Sequence, residues 1–358
     1  MVPVKQFGCA ACLRVMLFAV HRAWLLLVVG CAAAYSEDGA KAETPKAEPA
    51  RVVSAKPAAE PVKVEAPKSC IDDAKPFAPE VMRAQLEALA APELDGRASG
   101  TAGDRAARTL IAERFRCLGL TPGGDGDGYE QAFEDSNGAA TANLVGMIRG
   151  SSKPDEIIIV GAHHDHLGNG FLGANDNASG VVGLLAIAQS VAQRETKPAR
   201  TIAFVTFGAE EQGLIGSTYF TGKPPKAVPL DNVVQYINLD MIGSHASKNA
   251  VFAFGAFAKQ PARKLLEKLD NKFPKVHLGI GGHSVRGDHF GFCTKSIPYV
   301  FFWTPDNRCY HEKCDTAAKI DYARMADIAQ IADGLAVSLA ETSIDLVASK
   351  KKIGCFGR

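Results

Sequence analysis

The 358 residues carry 40 Lys and Arg against 39 Asp and Glu, a formal net charge of +1, and 47% of them are hydrophobic. That length supports one substantial α/β domain with segments left over at its ends. The balanced charge gives no argument for the basic face with which a nucleic-acid binder neutralises phosphates, so partners must be read from the chemistry of a site.

Residues 1–34 read as a secretory signal. His21 and Arg22 form a basic flank before a short apolar run at 23–30 and a series of small residues. The run is too short to span a bilayer unless residues 15–20 join it across His21 and Arg22, which leaves a transmembrane anchor as the second reading. Val28-Val29-Gly30-Cys31 resembles the bacterial lipobox, in which the Cys becomes the lipidated first residue of an exported lipoprotein in the periplasm or outer membrane. Ordinary cleavage near Ala34 is the alternative, and Met16 is an alternative start. Residues 35–72, rich in Ala, Pro, Lys and Glu, bury too little apolar surface to offset ordering entropy and read as a flexible tether.

Two helices, at 79–91 and 102–118, open a catalytic domain assigned to 73–347, with the Gly-rich link LDGRASGTAG between them. Arg97 in that link reads as a surface residue, and Cys117 on the second helix as a buried thiol. Strands follow at 143–148 and 156–160, a helix at 180–192, and strands at 201–207 and 233–239. Further strands at 251–257 and 297–303 and helices at 260–272 and 322–341 complete the domain, and 348–358 form a short basic tail. Alternating strands and helices predict a three-layer α/β fold with a mainly parallel mixed sheet flanked by helices. In such folds, sites assemble beyond the carboxyl ends of strands.

At such ends stand His163 in GAHHDHLG, Glu210 and Glu211 in FGAEEQG, and Asp240 in NLDMIG; Asp176 in GANDNASG and His311 in YHEKCDT lie between or beyond them. Imidazole and carboxylate donors from successive strand ends suit zinc. Asp165 is placed to accept the second ring proton of His163. Asp176 precedes a helix, where it either caps that helix or bridges two cations. Two adjacent acids after a buried strand would repel each other without cations nearby. Of the nine cysteines, Cys31, Cys70, Cys117, Cys293, Cys309, Cys314 and Cys355 survive leader removal before Cys31. Cys309 and Cys314 bracket His311, either as a local bridge or as free thiols.

The order His, Asp, Glu-Glu, Asp, His, within GAHxDHLG and YHxxxDT surroundings, resembles metallopeptidase family 28, the co-catalytic zinc aminopeptidases, over residues 80–340. The resemblance implies the zinc-dependent exopeptidase fold and two Zn2+ per chain. It pairs His163 with Asp240 and Glu211 with His311, with Asp176 bridging, and makes Glu210 the general base acting on peptides with a free N-terminus. The family often has Ser and Pro where Gly287 and Gly291 stand around Asp288 and His289, which leaves those two residues as pocket lining or as structure. The oxyanion stabiliser is open, with the metals, Tyr310, His283 or Arg286 as candidates. A mono-zinc glutaminyl-cyclase-like enzyme, a carboxypeptidase of the same fold and an inactive surface-tethered binding protein are the alternatives.

Overall fold

The computed structural model describes residues 75–244, 250–306 and 308–352. The leader and tether, with Cys31 and Cys70, lie outside them, as does Cys355. In chain order the elements are α1 (Pro79–Leu89), α2 (Ala102–Cys117), β1 (Thr121–Pro122), β2 (Glu130–Glu134), β3 (Ala140–Ile148), β4 (Lys153–His163) and α3 (Ser179–Ala192). They continue with β5 (Arg200–Phe207), α4 (Ile215–Gly222), β6 (Val233–Leu239), β7 (Ala250–Phe254), α5 (Pro261–Asp270) and β8 (His277–Ile280). Last come α6 (His289–Thr294), β9 (Tyr299–Trp303), α7 (Tyr322–Glu341) and α8 (Leu346–Lys352).

The strands form one mixed sheet in the order β1-β3-β5-β4-β6-β9-β7-β8, with β2 also paired to β3. Its four central strands, β5, β4, β6 and β9, are mutually parallel. Antiparallel partners flank them: β3 against β5 and β7 against β9. The reason for a buried centre lies in the side chains. On β4, Ile158, Val160 and Ala162 enter one core, while Ile157 and Ile159 enter the other. A strand segment whose two faces are both covered must be apolar throughout, as IIIVGA is at 157–162. The larger layer contains α1, α2, α3, α5 and α7; the smaller contains α4 and α6. The predicted three-layer architecture is therefore the observed one.

Because the four central strands run the same way, their carboxyl ends share one edge of the sheet, and His163 ends β4 while Asp240 directly follows β6. The elements that sequence periodicity did not reveal are short or marginal: β1, β2, β8, α4, α6 and α8. The edge strand β2 alternates exposed and buried positions, but over only five residues. The tail begins inside α8, where Lys350 Nζ donates to the Asp231 carbonyl at 3.2 Å, so the fold extends past residue 347.

Candidate metal centre

The loop that carries Asp176 is held by its neighbours' amides. The Asn177 side chain donates to the Leu239 carbonyl at 3.0 Å and accepts from the Gly180 and Met241 N–H groups at 2.9 and 3.1 Å. Asn175 Oδ1 accepts from Gly243 N–H at 2.9 Å. GANDNASG is thereby stitched to the segment that bears Asp240. From the other side, the Asp315 carboxylate accepts the N–H groups of Asn175 and Asp176 at 2.7 and 2.9 Å. The N-cap residue of α3 is Ala178, and the free N–H of Gly180 in its first turn is taken by Asn177 rather than by Asp176. The Asp176 carboxylate is left free to turn toward imidazoles.

It faces two of them. Its Oδ1 lies 3.3 Å from His163 Nε2, and its Oδ2 lies 3.2 Å from His311 Nε2. His163 Nε2 is also 3.4 Å from Asp240 Oδ1, and His311 Nε2 is 3.0 Å from Glu211 Oε2. Four of the expected ligands thus form two pairs, one on each oxygen of the fifth. Tetrahedral zinc with bonds of about 2.0–2.1 Å has donor atoms about 3.3 Å apart, which the observed separations match. The donors, imidazole nitrogen and carboxylate oxygen, are those zinc takes, so the residues fit the metal.

The electrostatics also describe a cradle for cations. Burial works against ionised Asp176, yet the hydrogen bonds from His163 and His311 hold its carboxyl well below the usual range. Hydrogen bonds to Asp176 and Glu211 push His311 up to about 10. Burial alone would lower His163, but the charges of Glu210 and Asp240 raise it well above its ordinary value. Without metal, protons on the imidazoles supply the positive charge that the surrounding carboxylates demand. Burial, reinforced by Asp288, Asp240 and Glu211, raises Glu210 well above the ordinary carboxylate range.

Several expectations change. His163 Nδ1 lies 3.2 Å from the Asp165 main-chain carbonyl and 3.7 Å from its carboxylate. That carboxylate instead accepts the N–H groups of Glu210 and Glu211 at 3.0 and 3.2 Å, fixing the loop after β5. Arg97 is not a surface residue: it is 1% exposed and donates to the carbonyls of His164, Leu89, Leu172 and Gly173. A polar Gly-rich link gives no sign that loops from other parts of the chain close over its guanidinium. Cys117 is half-buried and disulfide-bonded rather than a thiol, and Cys309 is bonded to Cys314. Asp288 and His289 are both fully buried beside the site, and burial raises Asp288 to about 7. Gly287 adopts φ +110°, and a Cβ there would stand 3.3 Å from Asp240 Oδ2. Sequence reasoning gave no role to His166 or Asp315, although both stand inside the quoted motifs; three histidines in four residues were the available signal.

A cleft of about 380 Å³ opens over the cluster, lined by His163, Asp176, Glu210, Glu211, Asp240 and His311. Phe254, Phe301 and Trp303 form an aromatic wall of the same cleft. Register pairs Phe252 with Trp303 and Phe254 with Phe301 across β7 and β9, so the wall stands on rigid strands. Tyr310, His283 and Arg286 also reach the cleft, and the Tyr310 ring stacks on His311 at 3.9 Å.

The parallel-centred sheet gathers imidazoles and carboxylates at its carboxyl edge, the arrangement of a three-layer α/β fold with a candidate metal site. The sequence pattern of peptidase family M28 matches residues 143–336, and this chain belongs to that family. It is 28% identical over 258 residues to leupeptin-inactivating enzyme 1 of Streptomyces exfoliatus, covering 66% of this chain and 56% of that protein. A probable zinc metalloprotease of Pyricularia oryzae is 28% identical over 281 residues, covering 65% and 55%. The chain thus spans little more than half the length of these relatives. Among solved structures, BSAP, a zinc aminopeptidase from Bacillus subtilis, shares the fold with a TM-score of 0.62 at 16% identity, covering 76% of this chain and 98% of that one.

Proposed function

We propose that this chain is a dinuclear zinc aminopeptidase that hydrolyses the N-terminal residue from peptides, with Glu210 as general base. The observation that carries the reading is the division of Asp176: one oxygen toward His163, the other toward His311. His163 and Asp240 would hold one ion, His311 and Glu211 the other. When bound, zinc would supply a Lewis acid for the scissile carbonyl and an acidified water.

The chain's own residues do the rest. Glu210, half-buried at the cleft and with a raised affinity for protons, takes a proton from the attacking water and returns it to the departing amine. Asp165 holds its main chain in place. Beside it the aromatic wall of Phe254, Phe301 and Trp303 offers burial to a large apolar side chain at the substrate's first position. Among the described residues lining the cleft, Arg286 is the single Lys or Arg.

Metal content and a substrate panel test the reading together. Two zinc ions per chain, with chelator-sensitive release from free-amino but not N-acetylated substrates, is the expected result. One ion per chain with cyclisation of N-terminal Gln would replace it with the cyclase reading. Bound zinc without turnover of either substrate would leave a binding protein. Export through residues 1–34 with lipidation at Cys31 belongs to the same proposal, supported by the leader's pattern and by a disulfide at Cys309–Cys314, which persists in oxidising compartments. No helix among the described residues is long and apolar enough to cross a membrane.

A further inference from the structure

His166 is 2% exposed, and its Nδ1 lies 2.7 Å from Glu211 Oε1. The other oxygen of that carboxylate, Oε2, is the one 3.0 Å from His311 Nε2. His166 Nε2 is buried without a hydrogen-bond partner, and because an ionised carboxylate only accepts, Nδ1 is the donor in the contact with Oε1. The same Nδ1 stands 4.0 Å from Asp176 Oδ2, beyond hydrogen-bonding reach.

The ring has been given its place by the loop around it. Gly173 adopts φ +61°, and a Cβ there would come within 2.5 Å of His166 Cγ, so the ring fills the space a side chain would take. Arg97 ties both arms of this loop, donating to the carbonyls of His164 on one arm and of Leu172 and Gly173 on the other. A carboxylate held by one oxygen from behind has lost its freedom to rotate and presents its second oxygen in a fixed direction.

We propose that His166 is a positioning residue of the metal centre: its Nδ1–H holds Glu211 Oε1, so that Oε2 faces the ion shared with His311 and Asp176. The inference rests on the two-metal reading above and goes beyond its ligand set. Direct ligation by His166 Nδ1 is the competing role, because Nδ1, Asp176 and Glu211 also lie close enough together to surround an ion.

The test compares two variants of the full chain. His166→Asn places an amide N–H near the position of Nδ1 and preserves the hydrogen bond but not a metal-ligating nitrogen. His166→Phe fills the space and donates nothing. Zinc per chain and zinc dissociation constants, measured by competition with a chromogenic chelator, are the readout, with circular dichroism of each metal-free protein to confirm folding. His166→Phe is expected to weaken one of the two ions by roughly 10- to 100-fold, with His166→Asn within a few-fold of wild type. Equal affinity in all three proteins overturns the proposal. Equal loss in both variants also overturns it, in favour of direct ligation. A wild-type chain that binds no zinc refutes the two-metal reading and the inference with it. Should His166→Phe fail to fold, the wild-type holoprotein decides: a downfield imidazole N–H proton resonance that disappears in His166→Asn supports the assignment, and its absence from the wild type overturns it.

Discussion

Replacing Arg97 by Met tests whether a buried cation organises the loops of the metal centre. The side chain is 1% exposed, and its guanidinium donates at 2.7 Å to His164 and Leu89, 2.8 Å to Leu172 and 2.9 Å to Gly173. Burial lowers its affinity for the proton to a value of about 10, and Asp315, Asp165, Asp176 and Glu211 act in the opposite direction. The cation therefore persists at neutral pH. Charge-assisted hydrogen bonds contribute about 1.5–3 kcal/mol each, so four set a ceiling near 6–12 kcal/mol. Relief of the buried charge offsets part of this, and removing one member of a buried charged network typically destabilises by about 3–5 kcal/mol. Urea denaturation of the metal-free protein should report that loss, which corresponds to a melting temperature lower by roughly 10 °C. Arg97→Lys should fall between, because one ammonium cannot reach all of these carbonyls. A change below about 0.5 kcal/mol, the scale of an ordinary surface substitution, would refute the reasoning.

Glu210→Gln should keep zinc at the wild-type stoichiometry while kcat falls by roughly 100- to 10,000-fold; near-normal turnover would remove Glu210 from proton transfer. Trp303→Ala should lower kcat/KM for Phe- and Leu-terminated substrates by roughly 10- to 200-fold, with Ala-terminated ones little changed; a uniform loss would show that the aromatic wall does not select. For the metal-free protein, His311 is raised to about 10 by its bonds to Asp176 and Glu211, and His163 is raised in the same direction. Groups whose affinity for the proton rises on folding stabilise fully below their unfolded value, here about 6.5, and lose that contribution as pH climbs through the folded one. Metal-free stability should therefore decline from about pH 6.5 to pH 10, less so in His311→Gln, and a profile that rises over this window would contradict the assigned contacts.

The long apolar runs of β4, β5 and β6 and the twenty-residue α7 were legible in the sequence because burial on both faces, or periodicity over many turns, leaves little ambiguity. Edge strand β2 and helices α4 and α6 were not, since in five to eight residues periodicity carries little information. Asp165 illustrates the same limit at the site. The interval from His163 suggests a partner for that imidazole, but the choice between its ring and the amides of Glu210 and Glu211 is made by how the loop after β5 returns.

The order of His163, Asp176, Glu210, Glu211, Asp240 and His311 along the chain was enough to name the donors of the proposed centre, because donor type, and for His163, Glu210, Glu211 and Asp240 the place after an apolar strand, are local properties. Which oxygen of Asp176 meets which imidazole was decided by tertiary structure alone. So were the burial of Arg97 between the end of α1 and both arms of the loop after β4, and the placement of His166 behind Glu211. Each depends on distances between segments far apart in sequence, and those are set only when the parallel strands bring their carboxyl ends to one edge.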